Sequence, residues 1–260
     1  MKLTVLTENV AGGRLGAEHG LSYLIEHDGK TILFDTGYSD LFMKNAERLN
    51  VNLIQDANVV VLSHGHWDHG DGLRYLSEKI LITHPSSFIK RYRKTDMSYI
   101  GLTLTQEEIE SNFDLKTTVE PYRISEKIIF LGEIPRENDF ESQTTTFVDE
   151  NGVPDFVPDD SAMAFILNDE LVVVTGCSHS GICNIVEYAR EVTGIKKVKA
   201  VIGGFHLKHN NRQTKRTIEY FNSLNILHLH PSHCTELPAL AAFFDEFGIE
   251  QLKTGTVLTF

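Results

Sequence analysis

Apolar residues alternate with polar ones, or run together over short stretches, along most of the first third of the chain. These patterns predict strands at residues 3–7, 22–26, 31–34, 59–62 and 80–83. The Asp28-Gly29 pair between the second and third strands predicts a two-residue hairpin turn. Apolar positions at helical spacing, with Ser39 as a helix cap, predict a helix at residues 40–49.

From residue 159 onwards the chain returns to the same kind of pattern. It predicts strands at residues 162–167, 171–175, 198–202, 226–229 and 257–260, and helices at 182–191, 214–224 and 238–247. Asn168-Asp169 predicts a turn that pairs the first two of these strands as a hairpin. The last strand is expected to close a sheet.

The middle of the chain, residues 85–158, has a different composition: it is more polar and contains no histidine. A capping-box pattern from Thr105 to Glu108 predicts a helix at 105–113, and residues 128–131 are predicted to form a strand. Residues 149–158 are predicted to be a loop. We interpret residues 85–158 as an inserted α+β subdomain over the mouth of the site, between core segments 1–84 and 159–260.

Composition narrows the class of protein. The chain has 260 residues, 41% hydrophobic and 23% charged, as in ordinary globular proteins. A net charge of −12 argues against a nucleic-acid partner, because phosphate binding requires a basic face. No apolar run reaches the ~18 residues of a membrane span, and the early acidic residues do not resemble a secretory signal. With three cysteines in no metal-type spacing, we expect a cytoplasmic protein without disulfides or membrane contact. The sequence predicts no oligomeric state.

One octapeptide, SHGHWDHG at residues 63–70, concentrates the chemistry. It follows an apolar strand, and His64 and His66 stand two apart, so extended backbone projects both to one side as two ligands of one ion. Asp68 and His69 follow at the turn into a helix predicted at 72–77, where they can face a second ion. Nitrogen and oxygen donors suit zinc first, with iron or manganese as alternatives.

This octapeptide resembles the signature of the metallo-β-lactamase superfamily. Further matching segments are ILFDTG at 32–37 and PSH at 231–233, and four segments resemble its dihydropterin ribofuranosyl-aminobenzene phosphate synthase-like branch: AEHGLS at 17–22, TGCSHSG at 175–181, GGFH at 203–206 and HCT at 233–235. The resemblance implies an α/β fold, the αβ/βα sandwich of two mixed β-sheets flanked by helices, with metals at one edge. Asp35 is interpreted as a buried carboxylate that orients the ligands from outside the metal shell.

The resemblance also implies two divalent metal ions with three protein ligands each. His64 and His66 would supply two ligands of the first ion, and Asp68, His69 and His233 would supply the second. The first ion then lacks one ligand.

In most of the superfamily the missing ligand is a histidine just before the strand predicted to begin at residue 162, where this chain has Pro158-Asp159-Asp160-Ser161. Cys177 replaces the usual bridging aspartate. His179 is our choice for the missing ligand, since no other histidine lies between His84 and His206, and Asp160 is the alternative. We interpret Cys177 as a small buried residue in preference to a thiolate ligand.

Other residues are candidates for contact with substrate. His206 follows a predicted strand and is a candidate proton donor or substrate contact, and we assign catalytic roles to it and to Asp68. The list of predicted substrate contacts is Glu18, His19, Arg136, Ser178 and His206. Backbone N–H groups at the start of the helix predicted at 182–191 could hold an anion such as phosphate.

We therefore predict a metal-dependent hydrolase or transferase that acts on a small anionic substrate, phosphorylated or pterin-like, through two metal ions. The branch resemblance implies condensation of a dihydropterin diphosphate with a ribofuranosyl-aminobenzene phosphate. The alternatives are a di-iron redox protein and a non-catalytic, metal-bound sensor or binding module.

Overall fold

The computed structural model describes residues 1–226 and 228–260. The strands in chain order are β1 (Lys2–Thr7), β2 (Ser22–His27), β3 (Lys30–Phe34), β4 (Val59–Val61), β5 (Lys79–Thr83), β6 (Arg91–Arg93), β7 (Phe113–Thr117), β8 (Tyr122–Ser125), β9 (Ile128–Phe130), β10 (Phe147–Asp149), β11 (Pro154–Asp155), β12 (Ala162–Leu167), β13 (Glu170–Thr175), β14 (Lys197–Gly204), β15 (His228–Ser232) and β16 (Val257–Thr259). The helices are α1 (Leu41–Arg48), α2 (Leu53–Asp56), α3 (Trp67–Gly70), α4 (Gln106–Asn112), α5 (Ile182–Thr193), α6 (Arg212–Leu224) and α7 (Leu237–Phe247). The strand predicted at 226–229 includes Leu227, which lies outside the described residues.

The chain divides into two compact units, and the first comprises Met1–Val119, Thr145–Asp155 and Lys253–Phe260. Its main sheet has the order β16-β1-β2-β3-β4-β5-β7, antiparallel from β16 to β3 and parallel from β3 to β7. The predicted hairpin turn is present between β2 and β3. Helix α1 buries Phe42 and Ala46 in the same apolar cluster as residues of β3 and β4.

A second, small sheet in this unit has the order β11-β10-β6. The prediction of a loop at 149–158 was therefore wrong in part, because β10 ends and β11 lies within that range. A buried ion pair explains the difference: Nε of Arg91 lies 3.1 Å from Oδ2 of Asp155, and both side chains are almost fully buried. Asp149 forms the turn between these strands by accepting hydrogen bonds from the amides of Asn151 and Val153, both at 2.8 Å.

The second unit comprises Glu120–Thr144 and Phe156–Leu252, with a sheet of order β15-β14-β13-β12-β9-β8 over its described residues. Strands β12 and β13 form the predicted hairpin, while β13, β14 and β15 run parallel. Helix α5 buries an apolar stripe and ends at Gly194 in the left-handed conformation. Phe205, Phe221 and Phe243 pack with ring centroids 5.7 to 6.2 Å apart and join this stripe in one core.

Two predicted segments differ from the structure or stay open. The helix expected at 72–77 begins earlier: α3 starts at Trp67 because the amides of His69 and Gly70 both donate to the carbonyl of His66 at 3.1 Å, and a 3-10 turn then covers Asp71–Tyr75. Residues 85–158 contribute strands to all three sheets. Their interpretation as an inserted subdomain stays a prediction. None of the helices in the described part of the chain has the length and hydrophobicity of a membrane span.

Candidate metal centre

The carboxylate of Asp35 organises the histidine loop of the first unit. Asp35 follows β3 and Ser63 lies just beyond the parallel neighbour β4, so both reach the same edge of the sheet. Oδ1 of Asp35 accepts from the Ser63 amide and Oδ2 from Ser63 Oγ, both at 2.7 Å. Nδ1 of His69 lies 2.6 Å from Oδ2. All three residues are fully buried. The prediction that Asp35 is a buried carboxylate is confirmed, and it is hydrogen-bonded to the motif loop. Its role in orienting metal ligands stays a prediction.

The rings of His64 and His66 face each other. Nδ1 of His64 lies 2.9 Å from Ser63 Oγ, and its Nε2 lies 3.0 Å from Nδ1 of His66. Two nitrogens bound to one tetrahedral ion, each 2.0–2.1 Å from it, would lie about 3.3 Å apart. The observed separation is close to that value, and both residues are buried. The pair therefore suits two ligands of one ion.

Asp68 lies beside a histidine from the preceding loop. Nε2 of His19 is 3.2 Å from Oδ2 of Asp68, and the His19 ring lies 5.8 Å from that of Trp67. His19 is more than half exposed, whereas Asp68 is buried. The structure thus brings two predicted site residues together at the surface of the loop.

Glu18, by contrast, is held by the segment before α1. Its carboxylate accepts from the amides of Tyr38 and Ser39, at 3.2 and 3.3 Å, and from Oγ of Ser39. Ser39 Oγ also accepts from the Leu41 amide at 3.1 Å, the contact expected of a helix cap. These contacts assign Glu18 a structural role, and its contact with substrate stays a prediction.

In the second unit, candidate residues follow three adjacent parallel strands. Ser178, His206 and His233 lie just beyond β13, β14 and β15, with φ of 60°, 50° and 51°. Residues other than glycine seldom adopt this left-handed conformation, and where they do the strain is often found at functional sites. Ser178 Oγ donates to the Gly204 carbonyl at 2.6 Å, which fixes the loop after β13 against the end of β14.

Two thiols and an imidazole meet in this region. The ligand atoms of Cys177, His206 and Cys234 all lie within 4.8 Å of one another, and the His206 ring centroid is 4.3 Å from that of His179. Burial raises the pKa of the Cys234 thiol, but hydrogen bonds with Cys177 and His206 and the charges of His206 and His233 take that pKa well below its usual value. The sequence analysis did not predict that Cys234 lies beside His206 and Cys177. The one available signal was its position next to His233 in the HCT segment.

Asp160 is buried behind the loop that carries His179. Its Oδ2 accepts from the Ser180 amide at 2.9 Å and from Ser180 Oγ. Burial raises the pKa of the Asp160 carboxyl, while hydrogen bonds from Ser180 and the His179 backbone lower it. The side chain thus anchors the loop in the structure, and its alternative role as a metal ligand stays a prediction.

Arg136 is anchored to its own unit. Nε donates to Ser142 Oγ at 3.0 Å, and Nη2 donates to the carbonyls of Phe156 and Val157 at 2.6 and 3.0 Å. These bonds give the guanidinium a structural role, and its predicted contact with an anionic substrate stays a prediction.

The start of helix α5 does not offer its amides to substrate, contrary to expectation. The amides of Cys183 and Asn184 donate to the carboxylate of Glu141 at 3.0 and 3.1 Å. A protein carboxylate already occupies the position where a phosphate was expected. The sequence analysis did not predict that Glu141 caps helix α5, because the two lie far apart in the sequence.

The remaining histidines have varied surroundings. Nδ1 of His84 accepts from the Ser86 amide at 3.1 Å, a capping contact at the start of a 3-10 turn. His230 is half-buried in β15, whereas His228 on the same strand is exposed.

Comparison with known proteins identifies the family. The family model described as the metallo-β-lactamase superfamily matches residues 15–86. A solved structure described as a metal-dependent hydrolase of the β-lactamase superfamily superposes with a TM-score of 0.89 at 31% identity, covering 100% of this chain and 99% of that one. The chain belongs to the metallo-β-lactamase superfamily.

Two proteins of Methanocaldococcus jannaschii are also similar to this superfamily member. One, named 7,8-dihydropterin-6-methyl-4-(β-D-ribofuranosyl)-aminobenzene-5'-phosphate synthase, is 33% identical over 285 aligned residues, covering 100% of this chain and 97% of the relative. The other is uncharacterised and 37% identical over 249 residues, covering 92% of each. The predicted superfamily, the resemblance to the synthase and the predicted fold class are confirmed.

The metallo-β-lactamase fold implies divalent metal ions, and the residues present fit them. Ser63 engages Nδ1 of His64 and Asp35 engages Nδ1 of His69, so Nε2 of each ring is the atom that would bind an ion. A carboxylate that holds the far nitrogen of a histidine is the usual support of a ligand imidazole. The buried nitrogen and oxygen donors of residues 64–69 therefore suit a divalent ion such as zinc.

Proposed function

We propose that this chain is a metal-dependent hydrolase or transferase that acts on a small anionic substrate, phosphorylated or pterin-like, through two metal ions. The observation that carries the proposal is the buried network in which Ser63 engages Nδ1 of His64 and Asp35 engages Nδ1 of His69. The substrate class is supported by the Methanocaldococcus jannaschii relative whose name describes a pterin-containing phosphate product.

The ligands we propose come from widely separated parts of the sequence. His64 and His66 would hold one ion with His179, and Asp68 and His69 would hold the other with His233. His179 remains our choice over Asp160, whose Oδ2 holds the amide and hydroxyl of Ser180 and so ties that side chain to the loop. A single variant of each residue separates the alternatives.

When bound, such ions lower the pKa of a coordinated water to about 7 and stabilise negative charge that develops on a substrate oxygen. Asp35 keeps the ring of His69 in one orientation and one tautomer. His19 lies against Asp68 and is exposed enough to meet a substrate. His206, with a ring nitrogen buried beside His179, is placed to hold or donate a proton at a substrate oxygen.

The test combines metal content with a substrate panel. Purified protein would be assayed by elemental analysis and offered a phosphodiester, a diphosphate ester, a β-lactam, and the pair of a dihydropterin diphosphate with a ribofuranosyl-aminobenzene phosphate. We expect at least two equivalents of metal per chain and turnover of a phosphorylated substrate. A chain that binds no metal, or one that turns over only the β-lactam, would contradict the proposal. A fully metallated chain inert to the whole panel would favour the sensor alternative.

Matched variants locate the ligands. His64→Ala and Asp68→Ala should lose metal and activity together, whereas His209→Ala, at an exposed histidine, should lose neither. His179→Ala should weaken binding of one ion by about 10–1,000-fold or more and Asp160→Ala by less. Full metal occupancy in the His179 variant with loss in the Asp160 variant would overturn our choice. A cytoplasmic location and the absence of a nucleic-acid partner stay predictions.

A further inference from the structure

Cys177, His206 and Cys234 form a cluster that the proposed two-ion centre does not use. We propose that these three side chains form a third metal site, a thiolate-rich site for a soft ion such as Zn²⁺. The proposal concerns residues of the second unit alone. It makes Cys177 a thiolate ligand in place of the small buried residue interpreted from the sequence, and it makes His206 a metal ligand in place of the proton donor considered above.

The three residues of this cluster occupy equivalent positions after three parallel strands. Strands β13, β14 and β15 are parallel neighbours that end at Thr175, Gly204 and Ser232. Each cluster residue lies two positions beyond the end of its own strand. Carboxyl ends of parallel strands share one edge of a sheet, so the three side chains converge there, with their sulfur and nitrogen atoms within 4.8 Å of one another.

Gly204 makes the space into which the Cys234 thiol fits. A Cβ atom at this position would lie 2.5 Å from Sγ of Cys234 and 2.6 Å from the Gly176 carbonyl oxygen. The thiol also lies 3.3 Å from the carbonyl of Cys177. Only glycine lets the end of β14 pass this close to the sulfur. The Cys234 thiol therefore has a defined position, packed against the end of β14.

The backbone of His206 supports the same assignment. Its φ of 50° is left-handed, and its ring lies beside the two thiols, with the ligand atoms of the three residues within 4.8 Å of one another. Its Nδ1 is buried with no hydrogen-bond partner in the part of the chain that the structure describes. A strained conformation that places an imidazole with a spare nitrogen beside two thiols is accounted for by metal ligation.

The donor set defines the ion. Two sulfurs and one imidazole nitrogen, with no carboxylate in the cluster, suit Zn²⁺ and other soft ions, which bind thiolates at about 2.3 Å and accept a fourth ligand from water. The six ligands proposed for the two-ion centre are all nitrogen and oxygen donors. Sulfur ligation therefore gives the third site a spectroscopic signature that the other two ions lack.

Cobalt substitution tests this site. The metal-free full chain would be titrated with Co²⁺ alone, and the near-ultraviolet thiolate-to-cobalt charge-transfer band would be recorded. We expect a band in the wild type that falls by about half or more in Cys177→Ser, in Cys234→Ser and in His206→Ala, because each removes one of three ligands. Cys183→Ser, at the third cysteine, is the matched control and should keep the full band. Circular dichroism would confirm that each variant is folded.

Zinc content gives the second readout. Cys234→Ser should contain about one zinc fewer per chain than Cys183→Ser. The double variant His64→Ala/His66→Ala should keep the charge-transfer band even though it loses the first ion of the two-ion centre, which separates failure of this site from failure of the proposed function. The proposal is overturned if the wild type shows no band, or if the band depends on Cys177 but is unchanged in Cys234→Ser and His206→Ala.

Discussion

Asp35 shows how much of a metal centre one buried carboxylate can organise. Its two oxygens hold the backbone and side chain of Ser63 and the ring of His69, and its own φ of 55° turns the chain away from β3 to do so. Left-handed backbone at a residue other than glycine is unfavourable, so the hydrogen bonds must compensate for it. The histidines of the loop are therefore fixed before any ion arrives.

This arrangement predicts the effect of Asp35→Asn. The amide keeps the size of the side chain but removes its charge and replaces one acceptor oxygen with a donor, so the His69 ring loses its carboxylate partner. We expect metal affinity to fall by about 10–100-fold, measured by competition with a chelator of known affinity. Asp245→Asn, at an exposed position on α7, is the control. Equal affinities in the two variants would show that Asp35 does not tune the ion.

His230 predicts a pH dependence of stability. Burial, helped by the charge of His228, lowers the pKa of His230 from 6.5 to about 4. As the pH falls from 6.5 to 4, the unfolded chain binds a proton at this residue and the folded chain does not. This residue therefore destabilises the fold progressively across that window, and it has no such effect above it.

Replacement of His230 by Gln should remove that loss. Between pH 7.5 and 4.5 the free energy of unfolding of His230→Gln should fall less than that of the wild type, by at most about 3 kcal/mol. Urea unfolding at both pH values gives the comparison, and the value at pH 7.5 separates any loss of packing from the titration. Parallel pH profiles for the two proteins would contradict the assignment.

At the scale of an element, helix α5 depends on a residue far away in the sequence. Glu141 accepts from the amides of Cys183 and Asn184 in the first turn, and Asn138 Nδ2 donates to the same carboxylate at 2.6 Å. Burial raises the pKa of the Glu141 carboxyl, and the hydrogen bonds from Cys183, Asn138 and Asn184 oppose that rise. The contribution of Glu141 thus lies in its acceptor atoms more than in its charge.

Two substitutions at this position should therefore differ. Glu141→Ala leaves two amides of α5 buried without an acceptor and should lower the free energy of unfolding by about 2–4 kcal/mol. Glu141→Gln keeps one acceptor oxygen and should cost less than half as much. Chemical denaturation measures both, and Glu137→Ala, at an exposed neighbour, is the control. If Gln were as damaging as Ala, the charge and not the acceptor geometry would be what stabilises the helix.

The elements that could be predicted are those whose signal is local. Residues close together in the sequence encode both the hairpin between β12 and β13 and the capping box of α4, and both features are present. The small sheet of β6, β10 and β11 could not be predicted, because it depends on an ion pair between Arg91 and Asp155, which lie far apart in the sequence. The cap of α5 by Glu141 was missed for the same reason.

At the scale of the whole chain, the two units share one arrangement of strands and candidate site residues. A mixed sheet has a run of parallel strands, and candidate site residues lie just beyond them: Asp35 and the histidine loop in the first unit, and Cys177, His206 and His233 in the second. The octapeptide motif made the first set predictable from sequence. The thiol cluster was not predictable, because its members are separated along the chain and are brought together only by strand order.

Metal removal tests the whole-chain consequence of this arrangement. An ion that binds only the folded chain stabilises it by about 2.7 kcal/mol when present at a hundredfold excess over its Kd. For a chain of this size that corresponds to a rise of roughly 5–10 °C in Tm. Chelation should therefore lower the wild-type Tm by about that amount, and added Zn²⁺ should restore it.

The variants determine which ligands carry this stabilisation. His64→Ala/His66→Ala should melt between the metal-loaded and the chelated wild type and should gain less from added Zn²⁺, because only the first ion has lost two of its proposed ligands. His209→Ala should behave as the wild type does in both conditions. Differential scanning calorimetry with and without chelator gives all the values needed. If the wild-type Tm did not change on chelation, or if the double variant gained as much from Zn²⁺ as His209→Ala, the proposed ions would not be part of the folded state.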